Sequence, residues 1–139
     1  MKFNNLHPDV MVFGDTSFRG DSPLESAEQA TLINQLRKDY PDIAAITIHV
    51  ENEGKRSHQQ AMKAKAQGLV GGASDIIIPG NPSLVMEIKR QDHTKSKWQD
   101  GQQEYLAASA EKGSMACVAL GWEAAMKAIE YWLSINKTN

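Results

Sequence analysis

The chain has 139 residues and a formal net charge of −2, and 41% of its residues are hydrophobic, which is ordinary for a globular domain. This length accommodates one domain with its own core and leaves no room for two. The single cysteine, Cys117, excludes a multi-thiolate zinc site, and its apolar surroundings favour a buried structural thiol in a reducing compartment. Because the sequence lacks an apolar stretch of about 20 residues and a signal-peptide pattern, we expect a cytoplasmic protein that does not enter a membrane.

The charges are distributed unevenly along the chain. Residues 55–97 carry eight basic and three acidic side chains, a net charge of +5, whereas the remainder of the chain carries a net charge of −7. A basic middle in an acidic protein indicates a local anionic partner, although such a run is more often a solvated face. The glycines between Gly68 and Gly72 match neither the Walker nor the dinucleotide fingerprint, so we expect no nucleotide cofactor.

The first forty residues predict an arm followed by a helix. Residues 1–21 lack helical periodicity, and we expect an irregular arm or a short hairpin outside the single domain that spans residues 22–139. The segment Ser22-Pro23-Leu24-Glu25 has the pattern of a helix start, with the serine as N-cap, the proline at the first helical position and the glutamate three residues after the cap. We expect this helix to end near Asp39, before Pro41.

The rest of the chain alternates between strands and helices. The overall order α-β-α-β-β-α-β-α predicts an α/β fold with a central mixed β-sheet flanked by helices. The expected elements are a strand at 43–49, a polar helix at 57–67, a hairpin of strands at 74–79 and 83–89, a helix at 98–112, an apolar strand at 115–120 and an amphipathic helix from 122 to about 134.

The strand at 83–89 carries the residues with the clearest chemistry. Side chains alternate along a strand, so Glu87 and Lys89 project together on the face opposite its Leu, Met and Ile residues. Asp75 begins the partner strand of the hairpin and can lie across from them. Phosphodiester hydrolysis needs this set, namely hard oxygen ligands for Mg²⁺ and a cation that orients water or stabilises charge. The alternative is an ordinary cross-strand salt bridge.

Two helices place polar residues within their apolar stripes. Glu25 projects within the stripe of the first helix, and a carboxylate aimed at a core is costly unless it is paired or binds metal. Alternatively, Glu25 completes a capping box with Ser22. Glu28 is expected to point away from the stripe and is the fallback candidate. Gln102 lies on the apolar face of the helix at 98–112, where it either hydrogen-bonds backbone or orients water or phosphate near a metal.

A polar turn precedes the helix at 57–67. The turn Asn52-Glu53-Gly54-Lys55-Arg56-Ser57 follows a strand, so its backbone amides, with Lys55 and Arg56, could hold a phosphate. An ordinary polar turn is the simpler interpretation. His49 could line the same site, although a lone histidine is more often structural.

Several motifs in order resemble one known family. Gly72-Ala73-Ser74-Asp75-Ile76-Ile77-Ile78-Pro79, Glu87-Ile88-Lys89 and Gln102-Gln103-Glu104-Tyr105-Leu106 resemble the VRR-NUC (virus-type replication–repair nuclease) group of the PD-(D/E)XK nuclease superfamily. The segment from residue 49 to residue 72 is similar to small stand-alone members from phages and bacteria. The resemblance covers roughly residues 23–133. One departure is Ser74, since the residue before the aspartate is usually proline in that group.

The resemblance implies a restriction-endonuclease-like core and a DNA endonuclease dependent on Mg²⁺ or Mn²⁺, acting in DNA repair in a bacterial or phage-infected cell. It also implies homodimers that cleave branched DNA such as four-way (Holliday) junctions, because two-fold pairing supplies a second active site. One alternative is a non-catalytic DNA-binding accessory protein that keeps the fold. Another is a sequence-specific restriction enzyme, which would need base-reading elements that the sequence does not display.

The resemblance also assigns the metal ligands. Asp75 and Glu87 would bind the metal ion together with the backbone carbonyl of Ile88. Glu25 matches the first-helix glutamate of the family and would contact the ion, with a bridging water as one option.

Two further catalytic residues and the DNA contacts complete the expected site. Lys89 would position the attacking water, and Gln102 matches the glutamine that follows the core motif of the family. The expected DNA-binding residues are Asn52, Lys55, Arg56, Arg90, Lys95 and Lys97.

Overall fold

The structure is a computed structural model that describes residues 1–50 and 57–137. Within these ranges five strands form one mixed sheet in the order β1-β5-β4-β3-β2. The pairs β1–β5 and β4–β5 are parallel, and β3 is antiparallel to both β4 and β2. The strands are β1 (Met11–Phe13), β2 (Ile48–His49), β3 (Ile76–Ile78), β4 (Leu84–Lys89) and β5 (Met115–Leu120).

Helices cover both faces of this sheet, which confirms the α/β architecture expected from the sequence. The central strands β4 and β5 are buried along their whole length, as their continuous apolar sequences predict. No helix in the described part of the chain is long and apolar enough to cross a membrane. The helices are α1 (Glu25–Asp39), α2 (Pro41–Ala44), α3 (His58–Ala66), α4 (Gln102–Glu111) and α5 (Trp122–Ile135).

The sheet separates two apolar clusters. On one face α1 and α5 pack through Leu32, Leu36 and Trp132 against alternate residues of β3, β4 and β5. On the other face Leu106 of α4 packs against the remaining residues of β4 and β5. Cys117 is fully buried in the first cluster, and burial raises the pKa of its thiol, so the structural interpretation of this cysteine is confirmed.

The N-terminal residues belong to the domain, so the expectation of an irregular arm is wrong for residues 11–13. Strand β1 pairs with β5 in parallel, with Met11 opposite Cys117. Val10 is buried in the second cluster, where Phe3 and Leu6 also pack. This pairing joins segments about a hundred residues apart, and no local sequence pattern predicts such a distant parallel partner.

The start of α1 differs from the expected capping box. The helix begins at Glu25 and its N-cap is Leu24, so Ser22 lies two residues before the cap. A tertiary contact explains the shift, because the guanidinium of Arg90 donates hydrogen bonds to the backbone carbonyls of Ser22 and Pro23. The predicted end of α1 near Asp39 is confirmed.

Two further boundaries differ from expectation. Residues 41–44 form the short helix α2, with Pro41 in its first turn, and only Ile48–His49 of the predicted strand at 43–49 is extended. Helix α4 begins at Gln102, four residues later than expected, because Gly101 at its N-cap adopts a left-handed conformation with φ of 86°. Helix α3 follows the prediction closely and starts with a capping box between Ser57 and Gln60.

Candidate active site

The β3–β4 hairpin places Asp75 beside Glu87. Ile76 pairs with Met86, so Asp75, one residue before β3, falls beside Glu87, one residue further along β4. The carboxylate of Asp75 accepts a hydrogen bond of 2.9 Å from the backbone N–H of Ile88. This bond holds Asp75 against the end of β4, where Glu87 and Lys89 project.

Glu87 is a buried carboxyl group with one satisfied oxygen. Its Oε1 accepts a hydrogen bond of 2.9 Å from the side-chain amide of Gln102. No donor in the described part of the chain reaches its buried Oε2. Burial first, and then the neighbouring charge of Asp75, raises the pKa of Glu87 well above its ordinary value. Such a carboxyl pair is stabilised as two anions only if a cation joins it.

Lys89 is the buried cation of the site, with 1% of its surface exposed. Its Nζ donates to the carbonyl of Lys97 at 2.8 Å and to Oε1 of Gln102 at 2.9 Å. Carboxylate oxygens of Glu25 and Glu87 lie 3.5 Å and 3.9 Å from the same Nζ. The ammonium is therefore fixed by neutral acceptors on one side and faces the acids on the other.

Two further side chains, those of Trp98 and Gln102, contact the ammonium group of Lys89. The ring of Trp98 lies below the ammonium, with its centroid 5.5 Å from Nζ, a distance suited to a cation–π contact. Gln102 accepts from Lys89 and from the backbone N–H of Gln99 and donates to Glu87. The expected hydrogen bond of Gln102 to local backbone is confirmed, and the side chain also joins the lysine to the glutamate, while its role in orienting water or phosphate near a metal stays a prediction.

The two glutamates of α1 have different environments. Glu25 approaches Lys89 and accepts a weak hydrogen bond of 3.4 Å from the hydroxyl of Ser96. Glu28 is only 3% exposed, and its carboxylate accepts the backbone N–H of Trp122 at the start of α5. Burial raises the pKa of Glu28. The expectation that Glu28 points away from the apolar stripe is wrong, and it lies outside the cluster around Lys89.

The expected DNA-binding residues fall into three groups. Arg90 and Lys95 donate to the backbone carbonyls of Ser22, Pro23 and Gly20, so both serve intramolecular contacts. The side chain of Lys97 is exposed, while its carbonyl accepts from Lys89. Outside the described residues lie Asn52, Lys55 and Arg56.

A cleft of about 790 Å³ opens over this cluster. Helix α1 forms one wall from Glu25 to Arg37, and the loops at 71–72 and 99–102 contribute to the lining. His49 lines the cleft, and its Nε2 lies 2.8 Å from Oε1 of Gln29. The acids and the lysine therefore border a space that a large substrate can enter.

The donor set fits a divalent cation of the Mg²⁺ type. Among the described residues no group of three or more acidic, His or Cys side chains is arranged to hold a metal ion. Mg²⁺, however, is usually bound through one or two carboxylates and keeps several waters and substrate oxygens as ligands. The pair of Asp75 and Glu87, with the unpartnered Oε2 and the adjacent Ile88 carbonyl, offers that kind of site.

The residues that sequence reasoning missed are those that support the cluster. Trp98 falls within the helix predicted at 98–112, yet it precedes α4, and its ring lies beneath Lys89. The contact between Ser96 and Glu25 has no sequence signal, because it depends on the path of the loop after β4.

The mixed sheet with helices on both faces, and an acidic pair and a lysine at the end of β4, define an α/β domain with a nuclease-like fold. A solved structure described as a VRR_NUC domain protein superposes on this chain with a TM-score of 0.69. The two sequences are 21% identical, and the match covers 82% of this chain and 91% of the other. The chain therefore has the VRR-NUC fold. No protein-family model matches the sequence, and no curated protein matches it.

Proposed function

We propose that the chain is a metal-dependent endonuclease that hydrolyses DNA phosphodiester bonds. The observation that carries the proposal is the meeting of the Asp75–Glu87 carboxyl pair with the buried Lys89 at the base of a cleft. The likeness to a solved VRR_NUC domain protein also supports the proposal, because the carboxyl pair and the lysine of this chain lie on the fold that the two proteins share.

Asp75, Glu87 and the backbone carbonyl of Ile88 would hold Mg²⁺ or Mn²⁺, and Glu25 would contact the ion directly or through water. When bound, the ion supplies Lewis-acid stabilisation of the charge that develops on the phosphoryl oxygens. The hydrogen bond from the Ile88 N–H keeps Asp75 oriented toward Glu87 before substrate arrives. A preformed carboxylate pair of this kind needs no rearrangement at the moment of reaction.

Lys89 would direct the attacking water and stabilise charge on the phosphate. Its ammonium already points at the acids, because Lys97 and Gln102 occupy its other donors. Gln102 ties the positions of Lys89 and Glu87 together, so both groups stay within reach of one reacting phosphate. In the hydrolysis a water oxygen bonds to phosphorus, the bond to the sugar oxygen breaks, and that oxygen takes up a proton.

We extend the proposal to branched DNA, such as four-way junctions, cut by a homodimer in a bacterial or phage-infected cell. The support is the sequence resemblance together with the general advantage of two-fold pairing, which would give two active sites from one small domain. The second candidate function is a DNA-binding accessory protein without catalysis. It is favoured by one observation, that no group of three or more acidic, His or Cys side chains among the described residues is arranged to hold a metal ion.

One set of gels tests the proposal. Linear duplex, flap and four-way junction DNA are incubated with the protein in Mg²⁺, in Mn²⁺ and in EDTA. We expect cleavage only with metal and a preference for branched substrates. Glu87→Gln should abolish cleavage, whereas Glu104→Gln, which changes an exposed carboxylate on α4, should cut like wild type. Binding without cleavage of any substrate would establish the accessory protein instead.

A further inference from the structure

The cleft continues well beyond the catalytic cluster along one face of α1. Its lining includes Glu25 and Gln29 near the cluster and Asn34 and Arg37 toward the end of the helix. Glu25 and Arg37 are twelve residues apart, and a helix rises 1.5 Å per residue, so the lined face extends for about 18 Å. A single phosphate at the Asp75–Glu87 pair would leave most of this length empty.

Arg37 is a basic residue whose side chain has no described polar partner. It is exposed and lines the cleft, and its guanidinium forms no hydrogen bond or ion pair with any described residue. The other basic residue in the described lining, Lys89, is committed to the cluster. A planar guanidinium with free donors suits bidentate binding of a phosphate group.

Gln29 adds an uncharged donor to the same face of α1. Its side chain is 8% exposed, and its Oε1 accepts from Nε2 of His49. The amide nitrogen of Gln29 has no acceptor among residues 1–50 and 57–137. This nitrogen is not one of the described buried polar atoms that lack a partner, so it is open to the cleft, where it offers a free donor between the catalytic cluster and Arg37.

We propose that this face of α1 is a phosphate-binding subsite for the backbone of a DNA strand. Arg37 binds a phosphate remote from the bond that is cut, and Gln29 donates to a backbone oxygen in between. Since one strand of B-form DNA rises 3.4 Å per nucleotide, 18 Å corresponds to about five nucleotides. The spacing rests on the proposed function, because that function locates the cut at the Asp75–Glu87 pair.

The first experiment compares two neighbouring basic residues, of which only Arg37 lines the cleft. Lys38 follows Arg37, is also exposed and lies outside the cleft lining, so Lys38→Gln is a matched control for Arg37→Gln. Binding of a fluorescent duplex is measured across salt concentrations in EDTA and in Ca²⁺. Arg37→Gln should weaken binding at least fivefold and reduce the slope of log affinity against log salt by about one, the loss of one phosphate contact.

The control and a neutral variant complete that experiment. Lys38→Gln should bind within twofold of wild type with an unchanged slope. Gln29→Met should weaken binding with no change in slope, because it removes an uncharged donor. Equal effects of Arg37→Gln and Lys38→Gln would overturn the subsite, as would wild-type protein that binds no DNA under either condition.

The second experiment measures the distance along the strand. Substrates are shortened stepwise on one side of the cut and then on the other, and cleavage is compared between wild type and Arg37→Gln. The difference in cleavage rate between wild type and Arg37→Gln should vanish when one particular side of the cut is shortened to about five nucleotides. Shortening the other side should leave that difference unchanged. A penalty that is independent of length would refute the subsite. Wild-type protein that binds with the Arg37-dependent slope but never cleaves would refute the proposed function and leave the subsite standing.

Discussion

Two adjacent regions of the chain use charged residues in opposite ways. At the end of β4, Glu87 and Lys89 are almost completely buried, and both hydrogen-bond with Gln102 at the base of a cleft. A few residues later, Arg90, Asp92 and Lys95 bind the backbone of residues 20–23, a set of contacts that we call the clasp. The first region gathers buried charges at the base of a cleft, and the second holds two parts of the chain together.

The clasp is linked to the site through the start of α1. The clasp fixes the segment that leads into α1, and α1 starts at Glu25, which lies 3.5 Å from Lys89. Ser96 connects the regions directly, since its hydroxyl accepts the N–H of Arg90 and donates to Glu25. The clasp should therefore affect catalysis only through the placement of Glu25, whereas Lys89 should affect it directly.

The largest expected effect comes from Lys89→Met, which keeps the aliphatic stem and removes the charge. We expect the single-turnover cleavage rate to fall about 10²- to 10³-fold, the usual cost of losing a preorganised electrostatic group. Loss of its donors also removes the described side-chain bond to Lys97 O, whereas Gln102 Oε1 keeps the bond from the Gln99 N–H, and we expect the fold to be destabilised by about 1–3 kcal/mol. Lys112→Met, which changes an exposed lysine, is the control. A wild-type cleavage rate would remove Lys89 from the mechanism.

Gln102→Leu should have the next largest effect. It breaks the bridge between Lys89 and Glu87 without removing either group, so we expect the limiting rate to fall about 10- to 100-fold, as for residues that orient metal ligands. DNA affinity should stay within twofold. Single-turnover kinetics at saturating protein separate these quantities. Gln103→Leu, the adjacent change, should leave the rate unaltered, and a loss of affinity in place of rate would contradict a positioning role.

The sequence predicted the region around Glu87 and Lys89 better than the clasp, for physical reasons. Alternation along β4 and the hairpin with β3 are local patterns, and they were sufficient to place Asp75 beside Glu87. The continuous apolar sequence of β5 gave its bounds directly. In contrast, the clasp joins residues about seventy positions apart through backbone carbonyls, which carry no side-chain pattern.

Glu28 shows the limit of helical periodicity. The apolar stripe of α1 accounts for contact with the sheet, but α1 also packs beside α5, so its buried arc is wider than the stripe. The carboxylate of Glu28 is tolerated there because it binds the free N–H of Trp122 at the start of α5. Such a partner is visible only once the helices are placed in three dimensions.

Arg90→Ala tests whether Arg90 stabilises the fold through the clasp or binds DNA. Loss of two hydrogen bonds to backbone carbonyls should lower the free energy of unfolding by about 1–2 kcal/mol in denaturant titrations. The salt dependence of DNA binding should not change. Lys97→Ala is the matched contrast, since its side chain is exposed, and it should reduce the salt slope by about one without loss of stability. The opposite pattern would restore Arg90 to the DNA interface.

The smallest expected effect is a pH dependence at Asp92. Hydrogen bonds from the Thr94 hydroxyl and from the Gly20 N–H lower the pKa of Asp92 to about 2. Because the folded pKa lies below the ordinary value of 3.8, this carboxylate stabilises the fold above pH 4, and the contribution is lost as the pH falls toward 2. Asp92→Asn should therefore lower the Tm at pH 6 and show a shallower decline in Tm between pH 4 and pH 2, whereas Asp42→Asn, at an exposed position of α2, should follow wild type. Parallel Tm curves for wild type and Asp92→Asn across that range would show that the charge of Asp92 does not fasten the N-terminal segment.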